Sequence, residues 1–225
     1  MKKHILALMI AVLSVFTVAC GKATEESSDI DVKSVVQDEV GTGVETKITS
    51  GYVPGVYTET GYESEYLGFK YITPDGFFIV SQEEREEISE YSEDFLIENN
   101  YTQLQLKYEE MVTIEELMVS NELGVTNFNI SLKKTFEDLE GYVKLYKKAL
   151  PGFSTATVEV IGEEETELAG DIYTKISGKM EYQGYLLWTD IYLRKQDDRI
   201  VTVTVAWIDG FEAEKETMMS GFAAF

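Results

Sequence analysis

The pattern of hydrophobic and polar positions divides the chain into three stretches. Ile5 to Ala19 is an apolar run behind the basic start Met1-Lys2-Lys3-His4. It is long enough for the core of a secretion signal and short of the ~20 residues that a spanning helix needs, so residues 1–19 read as a signal peptide. From Gly21 the pattern dissolves. "GKATEESSDIDVKSVVQDEVGTGVETKITSG" is acidic and rich in Gly, Ser and Thr, with no sustained period of 2 or 3.6 residues. Residues 20–60 are therefore expected to be a flexible acidic tether. Regular periods begin after it, and residues 61–225 have the length of one domain.

Within that domain, "EYLGFKYITPDGFFIVS" alternates on both sides of Thr73-Pro74-Asp75-Gly76, which predicts a hairpin because Pro presets the turn and Gly closes it. Ser81 with Glu84 has capping-box spacing, and Ile88, Tyr91 and Phe95 follow at helical intervals, which predicts a helix over 82–98. In "TIEELMVSNELGVTNFNISLKK" the first half fits either helix or strand and is read as strand; Thr126, Phe128, Ile130 and Leu132 then alternate as a strand. Leu139, Tyr142, Val143, Tyr146 and Leu150 form one helical stripe, ended by Pro151-Gly152. "DGFEAEKETMMSGF" predicts a short closing helix with Phe211, Lys215, Met218 and Phe222 on one side.

The three C-terminal strands permit a register prediction. With Gln183-Gly184 as a two-residue loop and Gln196-Asp197-Asp198 as a three-residue one, Ile172, Thr174, Ile176 and Met180 share a face with Leu187, Ile191 and Leu193, and with Val201, Val203, Val205 and Trp207. A one-residue shift of the second loop would bring Arg194 among the valines, which argues for this register. The opposite face is then mixed, and Tyr173, Lys175, Lys179, Trp188, Tyr192 and Arg194 on it are the candidate binding face. Direct pairing sets Lys179 across from Trp188 and Lys175 across from Tyr192, a geometry suited to cation–π contact.

Composition sharpens the picture. The only cysteine, Cys20, follows Thr17-Val18-Ala19, small side chains placed as in a lipobox, although Thr17 stands where Leu is commonest. Lipid on the Cys20 thiol and cleavage after Ala19 would anchor the chain to the extracytoplasmic face of the cell membrane. The plainer alternative is a secreted chain with an incidental cysteine. Without Lys2 and Lys3 the chain carries 41 acidic against 17 basic residues, a net of −24. That field repels nucleic acid and anionic headgroups, so no nucleic-acid partner is expected. A single cysteine leaves no internal disulfide, and stability must come from packing.

The inventory for catalysis is thin. His4 is the only histidine and leaves with the signal, which removes Ser-His-Asp and Cys-His systems and His-ligated zinc. Ser131-Leu132-Lys133-Lys134 spells S-x-x-K, but no S-D-N or K-T-G accompanies it. The runs Glu83-Glu84, Glu86-Glu87 and Glu163-Glu164-Glu165 read as solvated faces rather than a glycosidase pair. No calcium loop, P-loop or dinucleotide fingerprint occurs, so no metal, no cofactor and no enzyme activity are expected.

The order "EYLGFKYITPDGFF", helix, "SNELGVTNFNISLKK", helix and three long strands, with Gly68, Pro74, Gly76 followed by an aromatic, and Asn129, resembles the PsbP-like superfamily. That superfamily includes the photosystem II extrinsic protein PsbP, the Ran-binding Mog-type import factor and many bacterial lipoproteins; Phe77 stands where such lipoproteins often carry Trp. The resemblance implies the α+β class, an antiparallel β-sheet with helices on both faces (an α/β/α sandwich), and no shared catalytic residues. The expected function is a non-catalytic lipoprotein that docks on a protein partner or supports an envelope assembly. A small-ligand or glycan binder is the alternative, and a carboxylate-dependent hydrolase a weaker one.

Overall fold

The computed structural model describes residues 51–88, 112–150, 158–182 and 184–225. Strands β1 (Val56–Tyr57), β2 (Gly61–Ser64), β3 (Phe69–Ile72) and β4 (Phe77–Ile79) precede helical residues 82–88 (α1). Then come β5 (Thr113–Asn121), β6 (Thr126–Lys134), α2 (Leu139–Ala149), β7 (Glu159–Leu168), β8 (Asp171–Tyr182), β9 (Tyr185–Gln196), β10 (Arg199–Ile208), α3 (Glu212–Met219) and β11 (Phe222–Ala224). The protein is mostly antiparallel sheet. Seven strands form one sheet in the order β4-β5-β6-β10-β9-β8-β7, and four form a second in the order β1-β2-β3-β11.

Both faces of the large sheet are buried, each in its own apolar cluster. On one face, Met118, Ile176, Leu187, Ile191, Leu193 and Ile200 pack with Tyr142, Val143, Tyr146 and Leu150 of α2. That is the predicted helical stripe, and burying each of its large side chains contributes on the order of 2 kcal/mol. On the other face, Phe128, Ile130, Leu132, Val201, Val203 and Val205 pack with Tyr62, Leu67, Phe69 and Tyr71 of the small sheet and its hairpin, and with Met218 of α3. The second sheet departs from the expected single sheet with helices on both faces.

Local signals are realised as expected. Ser81 and Glu84 cap each other reciprocally: Ser81 N–H donates to Glu84 Oε2 (3.1 Å) and Glu84 N–H to Ser81 Oγ (3.3 Å). Tyr91 and Phe95 lie outside the described residues. Beyond those expectations, Asp138 caps α2 by accepting from Gly141 N–H (2.7 Å). Tyr182 pairs with Tyr185 across a two-residue loop with Gly184 at φ +82°.

Three expectations are corrected. The Pro74 turn exists, with Phe77 N–H bonded to the Pro74 carbonyl (3.2 Å) and Gly76 at φ +84°. It does not close a hairpin: β3 pairs with β2 and β11, whereas β4 pairs with β5, so the chain changes sheets there. Phe222 lies in β11, opposite Tyr71, and not on the closing helix. The β9–β10 register is the shifted one, with Gln196 paired to Arg199 around Asp197-Asp198 and Arg194 opposite Val201. The physical reason is that both faces are covered, so burial of the valines does not choose between registers. The charge that argued against this register is neutralised by partners instead.

Candidate functional site

The predicted binding face is assembled by β8 and β9 as the pairing rule required: Lys175 lies opposite Tyr192 and Lys179 opposite Trp188. It lies beneath the small sheet and α3. Tyr173 and Tyr192 are buried, and Trp188 is half-buried with its indole N–H donated to Asp209 Oδ1 (3.0 Å). The lysine ammonium groups turn to β7, Lys175 to Glu164 and Lys179 to Glu159. Burial lowers the Lys175 pKa, but the hydrogen bond to Glu164 and the charges of Asp190, Glu164 and Glu216 outweigh it, so the pKa lies above its ordinary value. Arg194 stacks over Tyr173 (5.1 Å), pairs with Asp171, and donates to the Leu67 carbonyl (3.0 Å) and Gln196 Oε1 (2.7 Å). The cation–π contacts on this side of the sheet include Arg194 on Tyr173, Lys215 on Trp207 (5.1 Å) and Arg199 on Tyr52 (5.3 Å). Lys215 also pairs with buried Asp190 (3.3 Å), which fastens α3 over the face. No partner can reach Tyr173 or Tyr192 without displacing that cover.

A polar centre that sequence reasoning missed lies where the N-terminal segment meets β5. Glu116 is the extra residue of a bulge, between Glu115, paired to Ser131, and Leu117, paired to Ile130. Its carboxylate is buried and accepts from the Tyr52 and Tyr62 hydroxyls and from Gly55 N–H (3.3 Å). Tyr57 donates to its carbonyl (2.6 Å) and accepts from Arg85 (3.1 Å). Burial, then the hydrogen bond to Glu116, hold the Tyr52 and Tyr62 phenols well above the ordinary tyrosine range. Residues 51–60, expected to be tether, are therefore part of the packed domain. The signal was the doublet Glu115-Glu116 inside an apolar strand: strand alternation sends one of two adjacent acids inward, and here Glu116 is buried while Glu115 stays exposed.

Two further features have chemical potential. On the α2-side face, the amides of Asn127 and Asn129 and the hydroxyl of Thr204 are fully buried and have no hydrogen-bond partner among the described residues. Asn129 and Thr204 are direct cross-strand neighbours. At the end of the sheet marked by the β5–β6 turn, an open groove of ≈ 580 Å³ runs between the Pro74 turn, that turn and α3. Asp75, Glu122 and Glu214 line it beside Phe77, Leu123 and Ala213.

No group of three His, Cys, Asp or Glu side chains that could hold a metal occurs among the described residues. No helix among them is long and apolar enough to cross a membrane. Cys20 lies outside the described residues.

No family model matches the chain, and no curated protein does. Among solved structures it is similar to cyanobacterial PsbP (CyanoP) from Synechocystis, at a TM-score of 0.43 and 9% identity over 83% of this chain and 99% of that one. It is also similar to LpqN, involved in cell envelope biogenesis of Mycobacterium tuberculosis, at a TM-score of 0.36 and 8% identity over 69% of this chain and 82% of that one.

Proposed function

We propose that the protein is a non-catalytic lipoprotein, held by lipid on Cys20 at the extracytoplasmic face of the cell membrane, whose PsbP-like domain docks a protein partner in an envelope assembly. The lipobox-like Thr17-Val18-Ala19-Cys20 and the absence of histidine after residue 4 support the anchor and the lack of catalysis. The observation that carries the docking role is the groove beside α3. Its rim carries Asp75, Glu122 and Glu214, its apolar patch is Phe77, Leu123 and Ala213, and no basic residue lines it. A partner segment that pairs a lysine or arginine with an apolar side chain complements both parts, and the net charge of the whole chain draws such a segment in.

Crosslinking in intact membranes tests this reading. Wild-type protein should capture a specific partner, and Glu122→Lys with Glu214→Lys should abolish capture while leaving the melting temperature within a few degrees. No specific capture under several growth conditions, or capture indifferent to the double substitution, overturns it. Asn127, Asn129 and Thr204, buried and without a hydrogen-bond partner among the described residues, favour the second reading, a binder of a small polar ligand or glycan. A ligand bound there must raise the melting temperature, and Asn129→Leu must remove that increment.

A further inference from the structure

Phe136 is fully exposed, at 105% of its reference area, in the four-residue connection that joins β6 to α2. Its backbone is fixed on both sides. Lys195 Nζ donates to the carbonyls of Thr135 (3.0 Å) and Glu137 (2.9 Å), one on each flank. Thr135 N–H donates to the Asp198 carbonyl (2.9 Å), Glu137 N–H to Thr135 Oγ1 (3.2 Å), and Asp138 caps the following helix. A large apolar side chain is thus held outward by five hydrogen bonds, where a slack loop would fold it back. Ordering cost on contact is already met, which is the hallmark of an anchor residue.

The end of the molecule that carries Phe136 is also the end where the chain enters the domain. An ideal Cβ on Gly51 would lie 4.0 Å from Asp197 Oδ2, and Asp197-Asp198 is the turn whose carbonyl holds Thr135. Strand directions bring Val53, Ile172 and Phe225, all exposed, to this same end: β8 starts at Asp171, and Phe225 N–H bonds to Gly68 in the β2–β3 turn. Asp171 here is paired with Arg194, and Asp198 with Lys134 (3.9 Å) and Arg199 (3.9 Å), while Glu65, Glu137 and Asp197 are exposed. The groove of Asp75, Glu122 and Glu214 sits at the other end, about 30 Å away along the nine residues of β5. Thirty residues of sequence lie between Cys20 and Gly51.

We propose that this tether-side end rests on the bilayer that carries the Cys20 lipid, with Phe136 inserted at the boundary of headgroups and acyl chains, so that the acidic groove faces away from the membrane. The inference rests on the lipid-anchor reading. One side chain is too weak to recruit a protein from solution, but an anchor supplies the effective concentration that lets a single apolar contact set orientation.

The acylated full chain, reconstituted in phosphatidylcholine vesicles, tests it through a spin label at Phe136→Cys compared with one at Glu122→Cys. The label at 136 should be several-fold less accessible to a water-soluble relaxant and more accessible to oxygen, and the label at 122 should read bulk water. A label at Val53→Cys should also read the interface and should move to water when Phe136→Asp is added. A chain that does not float with the vesicles overturns the anchor reading and this inference with it. A chain that floats with position 136 in water overturns this inference alone. So does protection at 136 that arises only on addition of envelope protein, which assigns the knob to a protein pocket.

Discussion

Arg194 departs from a strand face lined by Val201, Val203 and Val205, and its guanidinium ties β9 to Asp171 at the start of β8 and to the Leu67 carbonyl of the β2–β3 hairpin. Its side chain is 16% exposed; its loss leaves the carbonyl of buried Leu67 without this donor, whereas Asp171, 41% exposed, is re-solvated by water. Arg194→Ala should therefore cost about 2–3 kcal/mol in urea unfolding, and Arg194→Lys should recover little because an ammonium cannot serve both acceptors in a fork. A loss within about 0.5 kcal/mol, the ordinary surface range, would contradict that role. Glu116 is the parallel case. Glu116→Ala strips an acceptor from Tyr52, Tyr62 and Gly55 at once, and about 2–4 kcal/mol should be lost, with faster hydrogen exchange first in residues 51–57. Neither residue is identifiable from its own sequence position, because what matters in each case is a partner more than 20 residues away.

Elements whose causes are local were legible in the sequence. The Ser81–Glu84 capping box, the stripe of α2 and the Gly184 loop each depend on a few consecutive residues, and each forms. The β8–β9 register followed from that loop. Elements decided by their neighbours were not. Nothing local distinguishes a Pro74 turn that closes a hairpin from one that passes the chain to another sheet. The run of glutamates in β7 read as a solvated face because it is one: burial is low along the whole strand, and among the described residues its other edge carries no partner strand. Charge on an edge strand keeps other chains from adding to it. The small sheet in turn depends on a close approach that only glycine allows. A Cβ on Gly61 would fall 1.8 Å from the Tyr71 carbonyl oxygen, across the β2–β3 pair. Gly61→Ala must separate those strands, and we expect loss of cooperative unfolding or at least about 3 kcal/mol, read by calorimetry. A neutral result would mean that β2 can shift without detaching the small sheet.

At the scale of the whole molecule, the two sheets are stitched together by tyrosine, and this makes the fold sensitive to base. Tyr62, Tyr71, Tyr173 and Tyr192 are buried in the layer between the two sheets, and burial is the first cause that lifts each phenol above its ordinary value. Glu116 adds to the effect at Tyr62 and Asp190 at Tyr192, while Arg194 opposes it at Tyr173. In the unfolded chain these groups ionise near pH ~10. Above that pH the unfolded state loses protons that the folded state retains, so their contribution is complete below pH ~10 and declines as pH rises toward the folded values. Each phenol that keeps its proton while the unfolded chain ionises removes at most about 1.4 kcal/mol per pH unit, against a typical total stability of about 5–15 kcal/mol. Half-buried Tyr52 and Tyr66 add a smaller, solvent-screened part. Alkaline titration should therefore show exposed tyrosines ionising first, followed by one steep rise in phenolate absorbance that coincides with loss of the strand signal in circular dichroism. Smooth ionisation of all 14 tyrosines near pH ~10 with the sheet intact would contradict the buried layer. Phe substitution separates the two causes: Tyr71→Phe, which lifts one ionisable group out of the core and leaves only the Met218 carbonyl without its hydroxyl partner, should move the steep step to higher pH.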